Sequence, residues 1–150
     1  MTKARVMPVS VDEALEIALI VRDADREEID ALGMGMVEAL KTCFGGSLKA
    51  SKIVIGGKIV AVFGDAFHSA QVGVPWLIST YHVEQHPKAF LQVCKPEVRE
   101  MLTRHKSLLN FVDVRNKAAV KWLKWLGFEF LEPIQYGPKG MLFYPFKIDN

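Results

Sequence analysis

A phenol, two imidazoles and a carboxylate stand within six residues at Tyr81, His82, Glu84 and His86. Two histidines four apart share a helix face, the arrangement that holds zinc in many hydrolases. Here the order is His-x-Glu-x-His, and Pro87 disfavours helix at His86, so the run reads as an exposed polar loop and no metal is expected. The cysteines, Cys43 and Cys94, form no Cys-x-x-Cys pair. A thiol nucleophile needs a base and an electropositive pocket, whereas both lie on apolar helical stretches and read as packing residues. Trp122 and Trp125, three apart and flanked by Lys121 and Lys124, could stack bases or touch a partner. The simpler reading packs one in the core and leaves the other partly exposed. Asp23, Asp25, Glu27, Glu28 and Asp30 read most simply as a solvated helix face.

These groups need a scaffold. The chain has 150 residues, 50% hydrophobic and 24% charged, with 19 basic and 17 acidic side chains and a net charge of +2. That length suits one domain with its own core and needs no disulfide or metal to fold. The composition excludes disordered, collagen-like and disulfide-framework chains. The small net charge argues against a dedicated nucleic-acid binder. No apolar run reaches the roughly 18–20 residues that span a bilayer, and the N-terminal stretch lacks the apolar core of a leader. A reducing, cytoplasmic setting is expected.

Residues 5–9 read as a short extended run. Ser10-Val11-Asp12-Glu13 has the form of a capping box, followed by Val11, Ala14, Leu15, Ala18 and Leu19 at helical spacing. Asp25, with Glu28 three residues on, offers a second N-cap before Ile29 and Leu32, and Gly33 and Gly35 interrupt. Residues 36–44 form a helix stopped by Gly45-Gly46. Residues 52–55 and 58–63 flank Gly56-Gly57, a hairpin turn. Residues 72–80 read as a strand with Pro75 near its start. A short helix over 87–93 follows, then a second opened by Pro96. Residues 109–114 are a strand, 117–126 a helix closed by Gly127, and 128–131 and 141–144 the last strands. The order predicts an α/β (α+β) fold: a central mixed sheet of about six to seven strands with helices on both faces.

The most specific segment runs from Asn116 through Ala119 to Gly127-Phe128. Asn116 can cap a helix, Ala119 permits close approach one turn in, and Val120, Leu123 and Leu126 form a stripe. The spacing of Asn, Ala and Gly-Phe resembles the distal motif of the GCN5-related N-acetyltransferase (GNAT) superfamily, and the element order is similar. The resemblance implies transfer of an acetyl group from acetyl-CoA to an amine. It puts Ile78, Ser79, Thr80, Lys88, Asn116, Ala119 and Trp122 along the cofactor, which lies in the opening where the strand over 72–80 splays from its neighbour. It also puts the first helices beside the acceptor, where an acidic wall would suit a cationic amine.

Two departures from that pattern stand out. The phosphate-cradling loop, normally glycine-rich, here spans residues 80–90 with no glycine or arginine, leaving Lys88 as the phosphate partner. The position that often carries an acid tyrosine is Leu123. Tyr81, Tyr136 and Tyr144 are the remaining phenols, and Asp65, His68, His82, Glu84 and Asp113 the candidate bases; Tyr81, Glu84 and Asp113 make up the catalytic set. The residues at 76–80, 109–112 and 122–128, and the helix from Asp25 to Gly33, are also similar to acetyltransferase-like proteins encoded by short-tailed bacteriophages. That resemblance implies action in a bacterial host or packaging in the virion. It leaves a second reading open: a catalytically degenerate protein that grips a host bacterial protein. Expected partners are thus an amine acceptor, small or on a protein, or a host protein. A homodimer is also open, and no membrane or nucleic acid is expected.

Overall fold

The computed structural model describes residues 3–150; residues 1 and 2, part of the stretch read above for a leader, lie outside it. The elements are β1 (Ala4–Pro8), α1 (Val11–Glu16), a 3-10 turn over Ile17–Leu19, α2 (Asp23–Ala31), α3 (Met36–Gly46), β2 (Ser47–Ile55), β3 (Lys58–Phe67), β4 (Val72–Ser79), a 3-10 turn over Tyr81–Gln85, α4 (Pro87–Arg104), β5 (Ser107–Asp113), α5 (Lys117–Trp125), β6 (Glu129–Phe130), β7 (Ile134–Tyr136) and β8 (Met141–Asp149). The strands form one mixed sheet in the order β1-β2-β3-β4-β5-β8-β6, with β7 also on β8. Helices cover both faces, as expected from the sequence. One core packs α1–α3 on the face that carries Val62 and Ile78. The other packs α4 and α5 on the face that carries Phe63, Leu108 and Val112.

Local chemistry sets the elements. The Ser10 hydroxyl accepts from the Glu13 amide at 3.2 Å, and the Glu13 carboxylate accepts from the Ser10 amide at 3.1 Å, closing the capping box. Gly56 and Gly57 take φ of 60° and 77°, the left-handed pair that matches strand twist in a two-residue hairpin. Several boundaries differ from the sequence reading: β2 starts at Ser47 rather than 52, and β3 and β8 run on to Phe67 and Asp149. Residues 87–104 form one continuous helix, with Pro87 in its first turn and Pro96 inside it; Pro96 is exposed, and its ring is accommodated without ending the helix. Helix α3 runs through Gly45-Gly46 to β2. The cap of α2 is Arg22, which places Asp25 inside the first turn. The loop after β6 contains a strand, β7, signalled only by the alternation Ile134-Gln135-Tyr136.

The feature that positions the site is the join between β4 and β5. These strands run parallel and pair only at Val72↔Ser107 and Gly73↔Leu108. In β4, residues 74, 76 and 78 turn their backbone groups to β3 and residues 73, 75, 77 and 79 to β5, by the alternation of an antiparallel ladder. The first outward residue past the paired end is Pro75, which has no N–H to give. The ladder stops there, and the Asn110 amide spans the crotch, donating to the Pro75 carbonyl at 2.6 Å. Beyond it the sheet opens into a V.

The closed end is tied by Asp65. Its carboxylate accepts from Arg104 Nη2 at 2.8 Å and Nε at 3.0 Å, and faces His105 Nε2 at 2.8 Å. A Cβ on Gly73 would collide with the buried His105 ring. We expect Gly73→Ala to cost roughly 1–3 kcal/mol, as overpacking does, seen as a fall in urea midpoint at unchanged slope; an unchanged midpoint would show that the ring can step aside.

Candidate active site

The V encloses a cavity of about 230 Å³ that runs through the sheet. On the α4–α5 face its walls are Leu77, Phe90, Cys94, Val112, Ala119 and Trp122. On the α2–α3 face they are Ile29, Leu32, Met34, Cys43, Trp76 and Phe111. The polar groups among this lining are few: Asp25, Glu28, Glu97, Asn110 and Asn116.

Asp25 and Glu28 belong to a buried network that the sequence reading missed. Arg22 and Asp25 are only 6% and 7% exposed, and Asn116 only 2%. Arg22 Nη2 donates to Asp25 Oδ1 and to Asn116 Oδ1, both at 2.8 Å. The Arg22 Nε donates to Ser79 Oγ at 3.2 Å, and the guanidinium lies over the Trp122 ring, 4.9 Å from its centroid. Asp25 Oδ2 accepts from the Ser79 amide at 2.7 Å and from its hydroxyl at 2.5 Å. Asn116 Nδ2 donates to Asp25 Oδ1 at 3.0 Å, while Asn116 Oδ1 caps α5 by accepting from the Ala119 amide at 3.4 Å. Main chain closes the same corner: the Arg22 amide donates to the Ser79 carbonyl at 2.9 Å and the Tyr81 amide to Ile20 at 3.1 Å. The segment before α2 thus takes up the edge of β4 that β5 has left.

Glu28 is held differently. Its Oε1 accepts from the Asp113 amide at 2.9 Å and from Asn116 Nδ2 at 3.5 Å. Its Oε2 has no hydrogen-bond partner among the described residues, and the side chain lines the cavity. Burial, reinforced by the neighbouring charges of Asp25 and Asp113, pushes the carboxyl up from 4.5 to about 8, against the hydrogen bonds from Asp113 and Asn116. A carboxylate titrating just above neutrality in an apolar cavity is suited to taking a proton from an amine.

The expected cofactor residues separate into groups. Ala119, Trp122, Asn116 and Ile78 line the cavity. Ser79 is buried and outside the lining, its backbone groups and hydroxyl engaged by Arg22 and Asp25. Thr80 is buried, its amide on the Val60 carbonyl and its hydroxyl on the Ile59 carbonyl. Lys88 is exposed in the first turn of α4, away from the cavity lining. Of the catalytic candidates, Tyr81 is exposed and packs on His82, and Glu84 is exposed in the same turn. Asp113 is buried and ion-paired with Arg115 at 2.7 Å. None of the three lines the cavity. Tyr136 stacks on the lining residue Phe111, with centroids 4.0 Å apart. Both cysteines line the cavity, from opposite faces, and burial raises their thiols to about 11 for Cys43 and about 12 for Cys94, which leaves them protonated. Trp122 is half-buried and Trp125 is 49% exposed, matching the sequence reading.

The solvated-face reading of the acids is wrong at two of five positions. Asp25, Glu28, Ile29 and Leu32 follow the i, i+3, i+4, i+7 spacing of a buried stripe. Two carboxylates on the apolar face of α2 were the available signal.

Solved structures with this architecture include several acetyltransferases. The chain aligns over 97% of its length with 99% of a ribosomal-protein-alanine N-acetyltransferase from Brucella melitensis, at TM-score 0.72 and 9% identity. It aligns over 98% with 99% of an acetyltransferase of the GNAT family from Streptococcus pneumoniae, at TM-score 0.63 and 14% identity, and over 98% with 98% of an N-acetyltransferase from Staphylococcus aureus, at TM-score 0.69 and 12% identity. No protein-family model and no curated protein matches the sequence. The fold is that of the GNAT acetyltransferases. Among the described residues no helix is long and apolar enough to cross a membrane.

Proposed function

We propose that the protein transfers an acetyl group from acetyl-CoA to an amine, with Glu28 as the general base. The observation that carries this reading is the cavity through the splayed sheet, lined by a half-buried glutamate, Glu28, that has one carboxylate oxygen without a hydrogen-bond partner among the described residues. Acetyl-CoA supplies the activated acetyl thioester. The chain has room for a thin acyl-bearing arm at one end of the V: Leu77 turns its amide and carbonyl to the gap, and the small Ala119 opposite leaves space. The Ser79 end does not fit such an arm, because Arg22 and Asp25 hold it. In the transfer the acceptor first gives up its ammonium proton to solvent; the neutral amine nitrogen then bonds to the acetyl carbon, the carbon–sulfur bond breaks, and the further proton lost by nitrogen goes to Glu28. The thiolate leaves as the anion and takes its proton from water, consistent with Leu123 at the usual acid position.

Binding of acetyl-CoA is the direct test. At a hundredfold excess over Kd, linkage predicts roughly 2.7 kcal/mol of stabilisation and a Tm rise of several degrees. No thermal shift and no heat in calorimetry would overturn the reading. One observation favours the alternative, a phage-encoded scaffold that acts in the bacterial cytoplasm by holding a host protein: the Arg22–Asp25–Asn116 network satisfies, within the chain, the groups expected to meet the cofactor. Loss of the acetyl-CoA effect would leave that scaffold reading standing.

A further inference from the structure

The two halves of the cavity differ in what they can recognise, and the α2–α3 half is specific about charge. Its walls are Ile29, Leu32, Met34, Cys43, Trp76 and Phe111, all apolar or soft. It holds two carboxylates of unlike status. Asp25 is used on both oxygens, by Arg22, Ser79 and Asn116. Glu28 has one oxygen left over. The outer acids of α2 do not extend the charge inward: Asp23, Glu27 and Asp30 are exposed, and Asp30 is paired with Lys139 at 3.1 Å. The α2–α3 half therefore presents one place for one cation, set in an apolar wall; the third carboxylate of the cavity, Glu97, stands on α4 at the opposite face.

We propose that the acceptor is a small primary monoamine on an apolar alkyl or aryl body, its ammonium on Glu28 Oε2 and its body against Ile29, Leu32, Met34 and Phe111. This rests on the acyl-transfer reading and narrows its substrate class. A polyamine fits poorly because a second ammonium would enter an apolar wall without a counter-charge, and a buried unpaired charge is strongly disfavoured. A neutral analogue of the same shape fits poorly too, since it would leave the Glu28 charge unmatched. Burial and the charges of Asp25 and Asp113 oppose ionisation of Glu28, while hydrogen bonds from the Asp113 amide and Asn116 favour it; the nearby Arg22 and Arg115 are each engaged with one of those aspartates.

The experiment is calorimetry of the full chain at about pH 9, where Glu28 is ionised and a simple alkylammonium is still largely charged. The probes are 2-phenylethylamine, 2-phenylethanol, spermidine and, separately, acetyl-CoA. We expect the monoamine to bind at least tenfold tighter than spermidine or the alcohol, and to lose that advantage in Glu28→Gln. Equal or tighter binding of spermidine, or equal binding of the alcohol, would overturn the proposal. If acetyl-CoA binds and no monoamine does, the acceptor assignment falls while acyl transfer stands. If the monoamine binds and acetyl-CoA does not, the pocket assignment holds and acyl transfer falls.

Discussion

Glu28→Gln is expected to lower kcat/KM for acetyl transfer by about 10²–10⁴-fold, the usual contribution of a positioned base. The effect should depend on pH. In the wild type kcat/KM rises with pH through about 8, where Glu28 ionises, and the variant lacks that limb. Glutamine keeps an oxygen for the Asp113 amide, so the fold is expected to survive and the comparison to report on the proton. Stability moves in the opposite direction. The folded chain keeps the Glu28 proton up to about 8, whereas an unfolded carboxyl gives it up near 4.5. Between those values the native state holds more protons, so wild-type stability falls as pH rises, by up to a few kcal/mol. The variant should not share that loss, and its Tm advantage should grow from pH 5 to pH 8. A variant with wild-type activity and a parallel pH–stability curve would remove Glu28 from both roles.

The second large effect is expected at Arg22. Truncation to alanine leaves Asp25 buried with its charge opposed only by Ser79 and Asn116, and takes the donor from Asn116 Oδ1 and the cation from the face of Trp122. Breaking a buried pair by removing one partner costs about 3–5 kcal/mol. Urea unfolding of Arg22→Ala should show a loss of that size. A loss under about 1 kcal/mol would mean that water replaces the guanidinium and that the corner is less dry than the geometry indicates.

The architecture was legible because its signals are local. Ser10 and Glu13 declare a helix start, Gly56-Gly57 a hairpin, and Asn116 with Gly127 the two ends of α5. The opening between β4 and β5 was expected from the family resemblance alone; Pro75 was read only as lying near the start of a strand. What stayed hidden depends on contacts across the chain. Arg22 meets Asn116 from 94 residues away, and Glu28 meets the Asp113 amide from 85. An acidic stretch on a short helix looks solvated until its partners arrive, and only the match of Asp25 and Glu28 to the phase of Ile29 and Leu32 hinted otherwise. At Tyr81 and Glu84 chemistry drew attention in the sequence, and the 3-10 turn that carries them holds them outside the cavity. Pro96 misled because a single exposed proline can be absorbed by an eighteen-residue helix that is anchored at Phe90, Cys94 and Met101.

At the opening of the sheet, Pro75 withholds a ladder donor by the covalent structure of its ring. A gap propped apart by bulky side chains could shut when they repack, or when salt or acid alters their charges. The missing hydrogen on the Pro75 imino nitrogen, one of the features found where the pairing ends, has no such setting to change. Solution conditions can alter what enters the cleft and how firmly Arg22 bars one end of it, but the pairing of these two strands stays interrupted at that residue for as long as proline is there.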